Sequence, residues 1–289
     1  MRTSSTNSIF RVAKALSYAL AVLLLFSGCG AIEHRIIYAP DCYPESWNQP
    51  TSSQLHDIVL EDVYFPTTEA SGASGTDLHG WLVRPRHLCC EHVILFMHGR
   101  SGNVSSMNDR LFEFVRDHEA AVFVFDYRGY GKSGGTPTEN GLYSDAAAAR
   151  DCLAAKMNVP PDEIILFGRS LGSAVAIDLA ARQGAKALIV ECGFTSAADV
   201  LSHHTRGLLN GRRLNSGFAS EAKIGAYDGP VFIMHGEDDR IIPSAHGRRL
   251  AEAATSASRV EFVLVDGGHH APVTDKYRLT FQSFLNSVR

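Results

Sequence analysis

Five consecutive residues, Gly168, Arg169, Ser170, Leu171 and Gly172, have the types and spacing to do nucleophilic chemistry. Ahead of them, residues 163–167 carry Ile164, Ile165 and Leu166 in succession, the pattern of a short strand buried on both faces. Behind them, residues 173–182 are alanine-rich with no Gly or Pro, which predicts a helix. A serine on the tight turn between such elements projects its hydroxyl out of the sheet, and small residues on either side let strand and helix pass closely. The helix N-terminus behind the serine presents N–H groups to a developing negative charge.

Three further strand ends carry groups that could serve this serine. Residues 230–234 predict a buried strand that runs into His235, Gly236, Glu237, Asp238 and Asp239, then Arg240, Ile241, Ile242 and Pro243. A carboxylate there can orient a histidine and stabilise its cation. Residues 260–265 predict the last strand, which runs into Asp266, Gly267, Gly268, His269 and His270. A histidine on a glycine turn can stand between an acid and a serine. Residues 93–97 predict a strand that ends at His98, Gly99 and Arg100. The backbone N–H of Arg100, paired with that of Leu171, would make an oxyanion hole. In an open parallel sheet such groups meet at the carboxyl ends of the strands.

The elements that must position them follow in order. Residues 58–65 and 79–83 read as an antiparallel hairpin. Strand and helix then alternate: a helix over 104–118, a strand over 121–125, a helix over 139–157, the serine strand and its helix, a strand over 187–190, and the strands ending at Asp239 and His269 with helices over 244–254 and 277–288. This alternation predicts one α/β layer structure with a mostly parallel sheet. Residues 194–227 break it. They hold His203, His204, Arg206, Arg212 and Arg213, and read as an irregular connection with a short helix, either a small lid or a plain surface excursion.

The first stretch reads as an address, not as fold. Arg2, Arg11 and Lys14 precede an apolar run over 15–26, then Ser27, Gly28 and Cys29. The run is short for a membrane span and suits a signal peptide. The small residues before Cys29 resemble the bacterial lipoprotein signal, with Phe26 where Leu is usual, which predicts removal of residues 1–28 and acylation of Cys29; an ordinary cleaved signal peptide and a retained membrane anchor are the alternatives. Gly30 after the cysteine fits sorting to the periplasmic face of an outer membrane in a diderm. A tether over 29–54 follows, with Pro40, Pro44 and Pro50, from which Ile36, Ile37 and Tyr38 could pack back. The domain proper then runs over 55–289. Of six cysteines, five remain if Cys29 is lipidated. An oxidising compartment permits a bridge from Cys42 to Cys89 or Cys90, whereas Cys152 and Cys192 read as buried thiols. No Cys or His spacing suggests zinc. A net charge of −4 supplies no basic field for nucleic acid, so none is expected as a partner.

Together these motifs resemble the α/β-hydrolase superfamily. They are most similar to its compact branch of bud-emergence-type hydrolases and membrane-associated acyl-protein thioesterases. The turn from Asp126 through Tyr127, Arg128, Gly129, Tyr130, Gly131, Lys132, Ser133 and Gly134 to Gly135 resembles that branch, as does Glu191-Cys192-Gly193-Phe194-Thr195-Ser196. The resemblance implies an eight-stranded, mostly parallel sheet flanked by helices, with a small lid over about 194–227. It also implies a Ser170–His269–Asp239 triad that cleaves an ester or thioester through an acyl-enzyme, with no metal or organic cofactor. Asp239 is chosen over Asp238 because the family acid precedes two apolar residues and a proline. His269 is chosen over His270 because the family histidine directly follows the glycine. Asp126 and Arg128 are expected to brace their turn as an ion pair, and Arg169 to lie in an ion pair behind the elbow. Arg100 departs from the small polar residue common in the branch, and its side chain could face the cleft or turn away. Rival readings are a peptidase of the same fold and an envelope lipoprotein that binds without catalysis.

Overall fold

A computed structural model describes residues 30–68, 74–87, 90–208, 214–269 and 275–289. Cys29, Cys89, Arg212, Arg213 and His270 lie outside the described residues.

The hairpin is β2 (Ile58–Thr68) and β3 (Ser74–Pro85), paired antiparallel with Leu60 opposite Val83. The parallel strands are β4 (His92–Met97), β6 (Ala120–Asp126), β7 (Ile165–Arg169), β8 (Ala187–Glu191), β9 (Pro230–Gly236) and β10 (Arg259–Val265). They form one eight-stranded sheet in the order β10-β9-β8-β7-β4-β6-β3-β2. Only β3 runs against the rest, antiparallel to both of its neighbours, β2 and β6.

Strand residues alternate between two cores. Leu95, Phe123, Leu166 and Ile233 face one, and Ile94, Val122, Phe167 and Phe232 the other. The first core is closed by α3 (Glu139–Met157), α4 (Leu171–Gln183) and α7 (Ala245–Ala253); the second by α2 (Asn108–His118) and α8 (Asp275–Ser287). A β4 that feeds β6 on one side and lies against β7 on the other is a topological switch point, which opens a crevice at the carboxyl ends of β4 and β7.

Several boundaries differ from the sequence reading for local reasons. The helix expected over 104–118 opens as a 3-10 turn, Val104–Met107, because the Asn103 side chain accepts the Ser105 N–H and starts the turn early. The serine strand starts two residues late because Pro161–Glu163 form a 3-10 turn. The excursion at 194–227 holds two short helices, α5 (Ala197–His204) and α6 (Ser220–Ile224).

The stretch expected as a tether is laid down on the domain. Residues Gly30–Ile37 form α1, and Ala39–Pro40 form β1, parallel to β5 (Ser101–Gly102). Tyr38 is buried, with its hydroxyl 3.0 Å from Ser216 Oγ. Cys42 bridges the turn at Gly131, and its thiol donates to the Gly129 carbonyl. It is a free thiol, not a disulfide partner. Gly131 follows the carboxyl end of β6, whereas residue 90 precedes the amino end of β4, so the length of the sheet separates the positions.

The turn after β6 is braced, but not by the pair expected. Arg128 forks onto Asp145 of α3, with Nε and Nη2 at 2.9 and 2.8 Å from Oδ1 and its own N–H at 2.8 Å from Oδ2. Asp126 turns inward and accepts from Val104 N at 2.8 Å and His79 Nδ1 at 3.1 Å. Among the described residues, no helix is long and apolar enough to cross a membrane.

Candidate active site

Ser170 stands between β7 and α4 with φ 52° and ψ −117°, a conformation that costs a non-glycine residue on the order of 1–3 kcal/mol. The surroundings hold it there. Its N–H donates to Glu191 O at 2.9 Å, and its carbonyl accepts from Ser173 N at 2.9 Å and Ser173 Oγ at 2.6 Å. The flanking glycines answer to close approach. A Cβ at Gly172 would lie 2.0 Å from Met97 O, and one at Gly168 would lie 2.3 Å from Gly172 O.

The structure brings the three expected side chains into one relay. His269 Nε2 is 3.2 Å from Ser170 Oγ, and Nδ1 is 2.6 Å from Asp239 Oδ2. The carboxylate only accepts, so Nδ1 carries the proton and Nε2 is left to accept the serine hydroxyl. Asp239 Oδ1 accepts the N–H groups of Ile241 and Ile242, each at 2.8 Å. Its turn is tied to the histidine turn by Glu237 N on Val265 O and Asp238 N on Gly267 O, both at 2.9 Å. Burial works against the Asp239 charge. Hydrogen bonds from His235, from His269 and from the Ile242 N–H nevertheless hold its carboxyl well below the usual range. Asp238 and Asp266 are exposed, outside the relay.

The expected oxyanion groups flank the serine. Leu171 is the first residue of α4, so its N–H has no partner within the helix. Arg100 is reached through Gly99, where a Cβ would stand 3.5 Å from Ser170 Cβ. The Arg100 carbonyl accepts from the Tyr130 hydroxyl at 3.0 Å and from Ala39 N at 3.4 Å. Its guanidinium turns to α1 and donates from Nη1 to Ile36 O at 2.7 Å.

The other residues noted in the sequence fall as follows. Arg169 joins Arg110 on buried Glu191, with Arg169 Nε 3.5 Å from Oε1 and Arg110 Nη2 2.7 Å from both oxygens. Burial opposes the Glu191 charge, but Arg110 and Arg169 hold its carboxyl below the usual range. His98 and His235 lie buried beside backbone carbonyls, Nδ1 2.8 Å from Gly99 O and Nε2 2.7 Å from Ile242 O. His203 and His204 are exposed on α5.

Two contacts escaped the sequence reading. His235 Nε2 also lies 3.4 Å from Asp239 Oδ2, which makes it a second neighbour of the acid. Cys192, at φ 49°, directs its thiol to the His269 carbonyl at 3.4 Å. Its place just after β8, between the serine strand and the acid strand, was the available signal. Ligand atoms of Cys192, His235 and Asp239 lie within 4.8 Å of one another, close enough to hold a metal. The donor set does not suit one. Both Asp239 oxygens are engaged, His235 Nε2 is committed to Ile242 O, and burial, with Glu191 beside it, raises the Cys192 thiol to about 12.

A family model described as alpha/beta hydrolase fold matches residues 92–205. The chain is 34% identical over 272 residues to an uncharacterized protein of Mycobacterium tuberculosis, covering 90% of this chain and 89% of that one. It is 32% identical over 183 residues to the alpha/beta hydrolase domain-containing protein 17B of Homo sapiens, covering 63% and 62%. Among solved structures, the Pyrococcus furiosus esterase Pf2001 superposes with a TM-score of 0.65 at 18% identity, covering 84% of this chain and 98% of the esterase.

Proposed function

Because this chain belongs to the α/β-hydrolase family, we propose that it is a serine hydrolase that cleaves carboxylic esters or thioesters through an acyl-enzyme. The observation that carries this reading is the Ser170–His269–Asp239 relay, on a serine held at positive φ where its hydroxyl points out of the sheet. Ser170 Oγ attacks the acyl carbon while His269 Nε2 takes its proton. The imidazolium then protonates the leaving alcohol or thiol, and the carbonyl re-forms on the serine. A water then attacks the acyl carbon as His269 takes its proton, and the imidazolium returns that proton to Ser170 Oγ as the acid leaves. Asp239 keeps Nδ1 protonated throughout and stabilises the cation. The N–H groups of Arg100 and Leu171 receive the oxyanion in both halves. The named esterase among the solved structures is compatible with small ester substrates. The test is labelling by a serine-directed phosphonate, with a panel of chromogenic esters and thioesters.

The substrate side is proposed as shallow. Around Ser170, itself partly exposed, the described part of 194–227 supplies only two short helices, of 8 and 5 residues. Apolar chain left wet gains little of the ~25 cal/mol per Å² that burial gives. In a detergent-free assay, acetyl to hexanoyl esters are therefore expected to exceed palmitoyl esters in kcat/KM. A rate that climbs steadily to palmitoyl would contradict this. The side chain of Arg100 is engaged on Ile36 O, so no preference for carboxylate-bearing or phosphate-bearing esters is expected from it.

The proposed location is the cell envelope, with Cys29 acylated and facing the periplasm in a diderm. Each buried acyl methylene adds about 0.8 kcal/mol, so two or more chains hold the protein on the membrane. Cys29→Ser is expected to yield soluble protein or an unprocessed precursor. A variant that fractionates and migrates like wild type would remove this reading.

A further inference from the structure

We propose that the mouth of the active site docks on a phospholipid bilayer, so that Ser170 receives esters presented at the membrane surface. This inference rests on the proposed acylation of Cys29 and on the hydrolase reading. Three observations lead to it.

The first is where the chain outside the described residues ends. It ends at Cys29, next to Gly30, and α1 spans only 8 residues, about 12 Å at 1.5 Å per residue. Beyond α1, Tyr38 is buried against the domain, and Ala39–Pro40 pair with Ser101–Gly102, directly after Arg100. Arg100 itself holds Ile36 O. The helix that begins at Gly30, directly after the proposed attachment point in sequence, is thus held at its end against a loop that flanks the nucleophile. A free tether of about 25 residues would let a domain tumble away from its anchor, which this arrangement forbids.

The second is what surrounds that point. Ile36 is 42% exposed, Ile241 53% and Leu208 86%. Ile36 is on α1. Ile241 is two residues past Asp239 and donates its N–H to that carboxylate. Leu208 follows α5, whose His204 Nε2 donates to Ile241 O at 2.8 Å. These apolar side chains are exposed on segments that adjoin the site and do not pack into the core.

The third is the charge beside them. Each apolar residue has an exposed arginine one or two positions before it: Arg35, Arg240 and Arg206. Apolar side chains that dip into the acyl boundary while neighbouring cations stay among the headgroups are the pattern of an interfacial surface. Glu237 and Asp238 are also exposed, on the turn before Arg240, so dependence on anionic lipid should be modest. A long acyl chain can then remain in the bilayer while its carbonyl reaches Ser170. On membranes, the chain-length discrimination expected in solution should disappear.

The test uses the full-length, lipidated protein in vesicles of phosphatidylethanolamine and phosphatidylglycerol with brominated acyl chains. Tryptophan is introduced on these segments as Leu208→Trp or on α8 as Leu279→Trp, where Leu279 is 74% exposed. After subtraction of the Trp47 and Trp81 signal, bromine should quench Leu208→Trp by about twofold and leave Leu279→Trp nearly unchanged. Equal quenching, or quenching of Leu279→Trp alone, overturns the proposal, as does failure of the wild type to float with the vesicles. A second variant reads function. Leu208→Glu should keep its rate on a soluble acetyl ester within about twofold and lose about tenfold in kcat/KM on an ester embedded in the vesicles. Equal loss on both substrates overturns it. Selective quenching by a protein that cleaves neither ester would support the docked face and remove the hydrolase reading instead.

Discussion

Alanine at Ser170 should abolish phosphonate labelling and lower hydrolysis by on the order of 10⁴-fold or more. The loss is chemical, because the contacts that hold the turn are backbone ones: the Ser170 N–H on Glu191 O, and its carbonyl to Ser173. The variant should therefore melt close to wild type. His269→Ala should fall nearly as far, since it removes the acceptor 3.2 Å from Oγ and leaves the hydroxyl without a base. The double variant should be no worse than either single one, because both remove the same activated nucleophile. His270→Ala serves as the control and should change little. An active Ser170→Ala protein, or a dead His270→Ala beside a live His269→Ala, would refute the assignment.

Asp239→Asn should cost a comparable amount, about 10⁴-fold in kcat near neutral pH, for a reason specific to this turn. The N–H groups of Ile241 and Ile242 both donate to Oδ1, so an amide must place its oxygen there. Its NH₂ then faces His269 Nδ1 and donates to it. The imidazole must accept at Nδ1 and carry its proton on Nε2, where it can no longer take the serine proton. Changing the acid to alanine instead would leave the tautomer unforced, so Asp239→Ala should retain more activity than Asp239→Asn. The reverse order would count against this account. Stability should respond as well. The Asp239 carboxyl is depressed in the folded state, so its contribution is present above the ordinary value of 3.8 and is lost as pH falls below it. The difference in Tm between wild type and Asp239→Asn should shrink as pH is lowered through that region.

The parts of this site that could be read from the sequence are those written in a repeating pattern or at a strand end. The run through Ile164, Ile165 and Leu166 marks a buried strand, the alanine-rich stretch marks α4, and a serine between them can only stand on the turn. The strand ends that hold Asp239 and His269 were legible because each follows an apolar run, but the choice of Asp239 over Asp238 and of His269 over His270 came from the family resemblance. The turn after β6 was legible as a turn but not in its bonding. Asp126 and Arg128 are close in sequence, yet α3 brings Asp145 to the guanidinium and leaves Asp126 for the Val104 N–H and His79. A pairing across two elements leaves no local signature. The N-terminal segment was legible only at Ile36, Ile37 and Tyr38, which could be expected to pack back. The contacts that fasten it, such as the Tyr38 hydroxyl on Ser216 and the Ile36 carbonyl on Arg100, reach distant elements and form no periodic apolar face. The place of His235 beside Asp239 likewise arises from a turn that brings residues four apart into contact.

That fastened segment ties the fate of the enzyme to the integrity of its own N-terminus. Ala39 N and the Ile36 carbonyl grip Arg100 from both its carbonyl and its side chain, and the Tyr130 hydroxyl completes the hold. A protease that cut between Ile37 and Tyr38 would part the chain from whatever lies ahead of it. The same cut would loosen the peptide whose N–H is to receive the oxyanion. Under the proposed acylation of Cys29, shedding and silencing would be a single event, so no active pool could drift away from the membrane, and the reach of the proposed activity would be set by where that anchor stands.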